Sequence, residues 1–324
     1  GGTQWIIEGV VPVGHLTWLY GRGESGKSLL ALHCCISIAQ GATEWLGFPV
    51  NRELLEGRSV VYLDFEQLGE DEPLTVAQRV GKLALPAAET VTPFYYISDG
   101  LPVTKSGAAD FDKLGAMLYE FEPALVVVDS FQYAHNGDAN DTETVTATMK
   151  GLRDLCKAYN CGVVVIDHIP KSDARANSET ALPYGSVYKT NGSRSQILIR
   201  AVEDEETGDG ETYYELKLTK ASLLEPSKRW ETRLVCAKET DGRLELTHEV
   251  LFGRLGRIVE YLRTHEGATA KQILEYLKGD EPNLDNVTVH RSLHALLRDG
   301  RIRREGNRKA GYKYHLRGGL NDGF

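Results

Sequence analysis

Short, uninterrupted runs of apolar and β-branched residues recur along the first half of the chain, and longer amphipathic stretches separate them. Runs that are apolar at every position are typical of strands buried on both faces of a sheet. The strands predicted in this way are HLTWLY (15–20), SVVYLDF (59–65), FYYIS (94–98), ALVVVDS (124–130) and GVVVIDH (162–168). Helices are predicted at LLALHCCISIA, DFDKLGAMLYEF and TVTATMKGLRDLCKAYN. This alternation predicts an α/β domain with a mainly parallel sheet.

The pattern changes twice further along the chain. From residue 196, strand-like segments follow one another through turns, as in TYYELKLT, RWETRLVCA and RLELTHEV, which predicts antiparallel hairpins along one edge of the sheet. Near residue 251, three short amphipathic helices precede a basic two-strand hairpin. That order is typical of a winged helix-turn-helix. We therefore expect two domains, 1–250 and 251–324.

Charge separates the same two parts of the chain. Residues 1–250 hold 23 Lys and Arg against 37 Asp and Glu, a net charge of −14, whereas 251–324 hold 14 against 9, a net charge of +5. This asymmetry indicates that the second domain meets a polyanion.

Cysteine usage and hydropathy exclude two classes of protein. The five cysteines lack the spacing of a disulfide framework, which argues against a small secreted scaffold. No apolar run reaches the roughly 18 residues that a membrane span needs, and no apolar leader opens the sequence. We expect a soluble protein of the cytoplasm without a membrane partner.

The stretch GRGESGKSLL lies between the first predicted strand and the first predicted helix, and it fills the pattern G-x-x-x-x-G-K-[ST]. In such a loop, backbone N–H groups and the helix N-terminus face a phosphate. A nucleoside triphosphate with Mg²⁺ is therefore predicted here, with Lys27 on the β and γ oxygens and Ser28 on the metal. The predicted binding residues are Gly21, Arg22, Gly23, Glu24, Ser25, Gly26, Lys27, Ser28 and Leu29.

Polar residues end the predicted strands. Asp129 follows four apolar residues and is predicted to hold Mg²⁺ with Ser28, the alternative being a cap on the next turn. Hydrolysis needs a group that orients and deprotonates water, and Glu66 and Glu24 are the candidates. Glu66 is favoured because we expect its strand to lie beside the phosphate-loop strand. His168 ends another strand, on the rim where α/β sheets bind ligands, and is predicted to sense the γ-phosphate.

In this order, the pieces GRGESGKS, YLDFEQ, LVVVDSFQYAHNGDANDTETV, DHIPKS, YGSVYKTNGSRSQILIR and LKLTKAS resemble the RecA-like ATPases. The resemblance is closest to the RepA-type hexameric replicative helicases of plasmids and phages, and it covers about residues 5–236. It implies that ATP is the nucleotide, that Glu66 is the catalytic base, and that His168 couples the γ-phosphate to DNA-binding loops.

The resemblance also implies a homo-oligomeric ring, a hexamer, in which ATP lies between subunits and a neighbour supplies a basic residue. Lys220 matches the lysine of the family's K-x-[RN] element, but Ser222 stands where the family has Arg or Asn. Lys220 is the first candidate for this role, and the alternatives are Arg194, Lys228 and Arg229.

DNA is the expected partner, together with a primase or another replication protein. In the ring, the segments after Asp129 and after His168 would face the channel, and the second carries Lys171 and Arg175; the alternative is that both are ordinary surface connections. The hairpin RIRREGNRKAGYKYHLR has seven basic residues among seventeen and is predicted to approach duplex DNA. The predicted contacts are Arg303, Arg304, Arg308 and Lys309 of this hairpin and Arg291 of VTVHRSLHALLRD, the predicted recognition helix.

The sequence thus predicts an ATP-hydrolysing, RecA-like motor on single-stranded DNA, a helicase or translocase. Two other functions remain open. One is a recombination or repair mediator of the same fold without processive unwinding, and the other is an ATP-gated DNA-binding regulator.

Overall fold

A computed structural model describes residues 2–66, 76–83, 89–138, 141–169, 189, 192–202, 211–225, 228–230, 232–251, 254–279, 284–298, 302–307 and 311–316. Their contacts divide the chain into two compact units, Gly1–Glu249 and Val250–Phe324. No helix among these residues is long and apolar enough to cross a membrane.

In the described part of the first unit, helices lie between strands as far as β9, and β10 to β13 are strands in succession. In chain order they are β1 (Trp5–Ile7), β2 (Val11–Pro12), β3 (Leu16–Gly21), α1 (Lys27–Ala39), β4 (Glu44–Trp45), β5 (Phe48–Pro49), a 3₁₀ turn (Arg52–Leu55), β6 (Ser59–Asp64), α2 (Val76–Leu83), β7 (Phe94–Ile97), α3 (Phe111–Tyr119), β8 (Pro123–Asp129), α4 (Phe131–His135), α5 (Thr142–Ala158), β9 (Gly162–His168), β10 (Ser195–Val202), β11 (Glu211–Ala221), β12 (Thr232–Thr240) and β13 (Arg243–Leu251).

A nine-stranded sheet forms the centre of this unit, in the order β13-β12-β11-β10-β3-β9-β8-β6-β7. The six strands from β10 to β7 are parallel, whereas β11 runs antiparallel to both β10 and β12. The mainly parallel sheet and its antiparallel extension confirm the prediction from hydrophobic patterning. Each strand predicted between residues 15 and 168 is present within one or two residues of its predicted bounds.

The neighbour of β3 differs from the sequence-based expectation. We expected β6 to lie beside β3, but β9 and β8 separate the two strands. This expectation is wrong because the chain leaving α1 crosses over two strand positions before it re-enters the sheet, and later strands fill the gap.

Apolar side chains cover both faces of the sheet, which explains the continuous apolar runs in the sequence. One face packs on α1, where Leu30 and Ile38 are fully buried. The other face packs on α3, α4 and α5, and there Trp18 and Phe131 lie with their ring centroids 5.2 Å apart. Since α4 begins two residues after the end of β8, its residues are part of this core rather than of a surface loop.

The second unit contains three helices and a small sheet. Its elements are α6 (Arg254–Thr264), β14 (Ala268–Thr269), α7 (Ala270–Leu277), α8 (Asn286–Arg298), β15 (Ile302–Asn307) and β16 (Gly311–Leu316). The antiparallel sheet has the order β14-β16-β15, and α7 begins with a capping box between Thr269 and Gln272. Leu262, Ile273, Leu293 and Tyr314 are among the side chains buried in a separate core.

Candidate active site

The phosphate loop joins β3 to α1 and encloses the side chain of Lys27. Only 4% of Lys27 is exposed, and its Nζ donates hydrogen bonds to the carbonyl oxygen of Arg22 and, at 3.3 Å, to Oγ of Ser25. Oxygens of a bound phosphate would accept the same protons in place of these two oxygens. Glu24 lies at the exposed tip of the loop with φ at +64°.

At two positions of this loop, only glycine fits. A Cβ on Gly21 would lie 2.2 Å from the carbonyl oxygen of Ile199 in β10. Gly26 has φ at +86°, and a Cβ there would lie 2.5 Å from the ring of Tyr214. The glycines therefore let the loop rest against β10 and β11 while its N–H groups stay available to a phosphate.

The carboxyl ends of the parallel strands form one edge of the sheet, at Gly21, Asp64, Asp129 and His168, which we call the phosphate edge. The predicted site residues Lys27, Ser28, Glu66, Asp129 and His168 all lie at this edge. They come from four segments that are far apart in the sequence.

Asp129 is nearly buried at the end of β8, with 5% of its surface exposed. Its Oδ2 accepts a hydrogen bond of 2.6 Å from the hydroxyl of Tyr62, whereas its Oδ1 is buried without a partner of ordinary hydrogen-bond geometry in the described part of the chain. Burial raises the pKa of Asp129, and the hydroxyls of Tyr62 and Ser28 oppose that rise. The Asp129 carboxylate therefore lies beside the hydroxyls of Tyr62 and Ser28.

This donor set suits Mg²⁺, which takes hard oxygen ligands in octahedral geometry. Asp129 and Ser28 would supply protein ligands, directly or through water. No group of three or more His, Cys, Asp and Glu among the described residues could hold a metal by itself. Phosphate oxygens of a nucleotide and water would supply the remaining ligands.

Glu66 is exposed at the phosphate edge, two residues beyond β6. Its backbone N–H donates to Oδ1 of Asp64 at 3.1 Å and to the carbonyl oxygen of Asp129 at 3.2 Å. Asp64 in turn accepts a 2.6 Å hydrogen bond from Tyr96, whose ring stacks on Tyr62 at a centroid distance of 5.0 Å. The two tyrosines therefore hold the main chain of Glu66 and the carboxylate of Asp129 in one network.

His168 pairs in register with Gly21, the first residue of the phosphate loop. Burial and the nearby Lys27 cation lower the pKa of His168, so its imidazole is neutral at neutral pH. A neutral ring can donate one hydrogen bond to a phosphate oxygen without adding a charge.

The charge of Lys27 depends on its neighbours. Burial lowers the pKa of Lys27 to about 8, and the negative charges of Asp129, Asp167 and Glu66 oppose this effect. These three acids come from three different strand ends. A bound polyphosphate would favour the charged ammonium further.

The residues predicted to act on a neighbouring subunit lie elsewhere in the sheet. Lys220 pairs with Gln196 near the start of β10, and burial and the Arg194 charge lower the pKa of Lys220. Arg194, Lys228 and Arg229 are exposed near the same ends of β10, β11 and β12. We call this the opposite edge. It lies across the sheet from the phosphate edge, so none of the four residues joins the phosphate site of its own chain.

The predicted nucleic-acid contacts are placed only in part. Lys171, Arg175, Arg308 and Lys309 lie outside the described residues, and Arg291 lies on α8. Arg303 and Arg304 are exposed on β15, where Arg303 binds Glu305 and the Arg304 guanidinium lies 4.5 Å from the centroid of the Tyr312 ring. The segment after Asp129 was predicted to face DNA, but its first five residues after Ser130 form α4, in which Phe131 and His135 are buried.

Sequence reasoning missed Tyr62, Tyr96 and Asp64 as supports of the site. The signal was present, because Tyr62 interrupts an aliphatic run, and a buried tyrosine hydroxyl needs a hydrogen-bond partner. Which acid would accept that bond depends on the strand order, which the sequence alone did not supply.

We predict that nucleotide affinity falls as the pH rises through the pKa of Lys27. If binding requires the ammonium form and the pKa is about 8 in the free protein, the dissociation constant rises about tenfold between pH 7 and pH 9. Titration with a fluorescent ATP analogue measures this. The variant Lys27→Arg is the control, because arginine stays charged and its affinity should not vary over this range. A flat wild-type profile would contradict the prediction.

A second prediction concerns Tyr62, which donates to Asp129. Tyr62→Phe removes that donor, so the pKa of Asp129 rises further and the carboxylate holds Mg²⁺ less well. The Mg²⁺ concentration for half-maximal binding of the ATP analogue should increase about tenfold, as for other residues that orient a metal ligand. The control is Tyr95→Phe, which removes the hydroxyl of a tyrosine on β7 that is 39% exposed. An unchanged Mg²⁺ requirement would exclude Asp129 as the metal-side carboxylate.

Comparison with known proteins agrees with this geometry. No curated protein matches the sequence significantly. A family profile described as an AAA domain matches residues 2–174, more than half of the chain, and the matched range includes the phosphate loop, Glu66, Asp129 and His168. Both this match and the mainly parallel sheet fit a RecA-like ATPase, for which nucleotide binding and ATP hydrolysis are the activities indicated. The chain belongs to the AAA domain family of P-loop ATPases.

Proposed function

We propose that this protein is an ATP-driven motor on DNA, a ring-forming helicase or translocase. The observation that carries the proposal is the separation of two sets of residues on one sheet. Lys27, Glu66, Asp129 and His168 lie at the phosphate edge, whereas Lys220 and Arg194 lie at the opposite edge. If the second set acts on a nucleotide, that nucleotide belongs to a neighbouring copy.

In the proposed reaction, a water molecule attacks the γ-phosphorus and transfers a proton to the Glu66 carboxylate. The bond from the γ-phosphorus to the bridging oxygen breaks, and the electron pair stays with ADP. Lys27 and the N–H groups of the loop stabilise the charge on the phosphate oxygens. Mg²⁺, when bound with the nucleotide, would neutralise part of the same charge.

The strand order supports the role of Glu66, although it overturns our reason for choosing it. Three strand spacings separate β3 from β6, a distance of about 14 Å across the sheet. Above the ends of β9 and β8, this distance leaves room for a γ-phosphate and a water between the loop and the carboxylate. Glu24 is a weaker candidate because it lies at the exposed tip of the loop rather than across that distance.

We further propose that the second unit is a winged helix that contacts duplex DNA. Support comes from its order of elements, helix, strand, two helices and two strands, and from Arg303 and Arg304 exposed on β15. Its net charge of +5 in an otherwise acidic chain favours the same partner. This basic unit is also the observation that favours the second candidate function, an ATP-gated DNA-binding regulator.

The motor proposal predicts that single-stranded DNA strongly stimulates ATP hydrolysis. Glu66→Gln should bind ATP with an affinity within a few-fold of wild type and lose at least about a hundredfold in turnover, because it cannot take a proton from water. Phosphate release and binding of the ATP analogue measure the two properties. Glu56→Gln, which neutralises another exposed glutamate of the same unit, is the matched control.

Two outcomes would contradict the motor. ATP hydrolysis that is indifferent to DNA would favour the regulator, and ATP-dependent DNA binding without displacement of a strand from a forked substrate would favour a recombination mediator. Native mass spectrometry with ATP tests the ring separately. A monomer under these conditions would contradict the ring, because the opposite edge would then have no neighbouring nucleotide to act on.

The winged-helix proposal predicts a specific change in salt dependence. Arg304→Ala should weaken duplex binding at every sequence tested and reduce the slope of log affinity against log salt by about one, as loss of one phosphate contact does. Lys278→Ala, an exposed lysine after α7 and outside the hairpin, is the control and should leave the slope unchanged. Equal slopes for both variants would remove the hairpin from the DNA interface.

A further inference from the structure

A buried ion pair links the end of β9 to a lysine that follows it by 22 residues. Nζ of Lys189 lies 2.8 Å from Oδ2 of Asp167, and the two side chains are 0% and 2% exposed. Every other Lys or Arg ion pair of the described chain has at least one side chain more than a fifth exposed. In this pair, unlike the others, both side chains are buried.

The Asp167 carboxylate also fixes the backbone that carries His168. Its Oδ1 accepts a hydrogen bond of 2.9 Å from the backbone N–H of His168, and its Oδ2 accepts another of 3.1 Å from Nε1 of Trp18. Lys189 is held in turn by the ring of Phe131, whose centroid lies 4.3 Å from Nζ. Charge, hydrogen bonds and an aromatic face thus define one position for Asp167.

The hydrogen bonds continue from Lys189 toward the opposite edge. Oγ of Ser193 donates to the carbonyl oxygen of Lys189 at 3.2 Å, and Nε2 of Gln196 donates to Oγ of Ser193 at 2.7 Å. Gln196 pairs in register with Lys220, and Arg194 directly follows Ser193. The ion pair and these hydrogen bonds therefore connect the backbone of His168, through Asp167 and Lys189, to Gln196, which pairs with Lys220 and lies two residues after Arg194.

Stability alone is a poor reason for this arrangement. Removing two charges from water offsets much of their attraction, so a buried pair adds little over well-packed apolar residues of similar volume. What the pair does provide is one defined geometry, since a displaced partner would leave a bare charge in the core.

We propose that Lys189 is a positioning residue that couples His168 at the phosphate edge to Arg194 and Lys220 at the opposite edge. The inference rests on the proposed function, in which the opposite edge serves the nucleotide of a neighbouring copy. Through Lys189, the strand end that meets one γ-phosphate and the strand ends that meet the next would move as one body.

The test uses the whole chain and begins with Lys189→Met, which keeps the length of the side chain and removes its charge. DNA-stimulated turnover should fall at least about tenfold while the KM for ATP stays within about twofold, because misplaced groups affect the transition state more than ground-state binding. Lys150→Met is the matched control. It breaks an ion pair of similar length, Lys150 to Asp154 at 2.7 Å, in which both partners are exposed.

A second variant separates positioning from folding, because Lys189→Met leaves Asp167 as a buried, uncompensated charge. The double variant Lys189→Met/Asp167→Asn has no such charge, and its single amide oxygen keeps one of the two hydrogen bonds that Asp167 accepts, from Trp18 or from the backbone N–H of His168. We expect it to recover thermal stability relative to Lys189→Met but not turnover. A double variant as active as wild type would overturn the proposal.

The imidazole of His168 gives a readout that does not depend on DNA. Lys189 lowers the pKa of His168 and Asp167 raises it. In NMR titrations of histidine-labelled protein, the pKa of His168 should therefore increase in Lys189→Met and decrease in Asp167→Asn. General loosening of the fold would expose the ring in both variants and shift the two values in the same direction.

The two proposals fail in different ways. If DNA does not stimulate the wild-type ATPase, the motor is wrong, whereas the opposed shifts of the His168 pKa still test the contact between Lys189 and the phosphate edge. If DNA stimulates wild type and Lys189→Met to the same turnover, the motor stands and the coupling through Lys189 is wrong.

Discussion

The burial of the Lys27 ammonium is the constraint on which the phosphate edge depends. Burial lowers the pKa of Lys27 to about 8 although three carboxylates raise it, so without those carboxylates the pKa would be lower still. Three carboxylates keep it charged, and each needs its own compensation for lying near the others. Asp167 has Lys189, Asp129 has the Tyr62 hydroxyl and an oxygen suited to Mg²⁺, and Glu66 has exposure to water. The surroundings of the three acids therefore differ: Asp167 is ion-paired, Asp129 is buried beside a hydroxyl, and Glu66 is exposed.

The strand order sets the positions of these side chains along the phosphate edge. In a parallel sheet, every strand end at one edge is a position from which a side chain can meet a ligand. Because β9 and β8 lie between β3 and β6, the phosphate loop and Glu66 are separated by the ends of two strands. These two strands end at His168 and Asp129. The phosphate loop and Glu66 therefore lie about 14 Å apart across the sheet, with His168 and Asp129 between them.

The sequence predicted strands, helices and the phosphate loop because these depend on local patterning. Buried strands need apolar residues on both faces, and the loop needs glycines at fixed positions, so GRGESGKS and LVVVDS carry their own structural meaning. Strand adjacency is not local, and this is where our reasoning about Glu66 was wrong although the residue does lie at the phosphate edge. The support of Asp129 by Tyr62 was missed for the same reason, since the two residues are 67 positions apart. Lys189 was missed because a single lysine in a polar segment has no periodic pattern to distinguish it from a solvated one.

The first residues after Ser130, which we expected to form a loop, form the short helix α4. Its composition, FQYAH, has no strong helical signal, and tertiary packing decides its structure. Phe131 is fully buried against Trp18, and it also provides the ring over which Lys189 lies. Lys189 therefore contacts a residue near the end of β8, Phe131, and a residue at the end of β9, Asp167. A displacement of β8 or β9 at the phosphate edge would therefore disturb Lys189 in either case, which makes the buried pair the structural meeting point of the two strands.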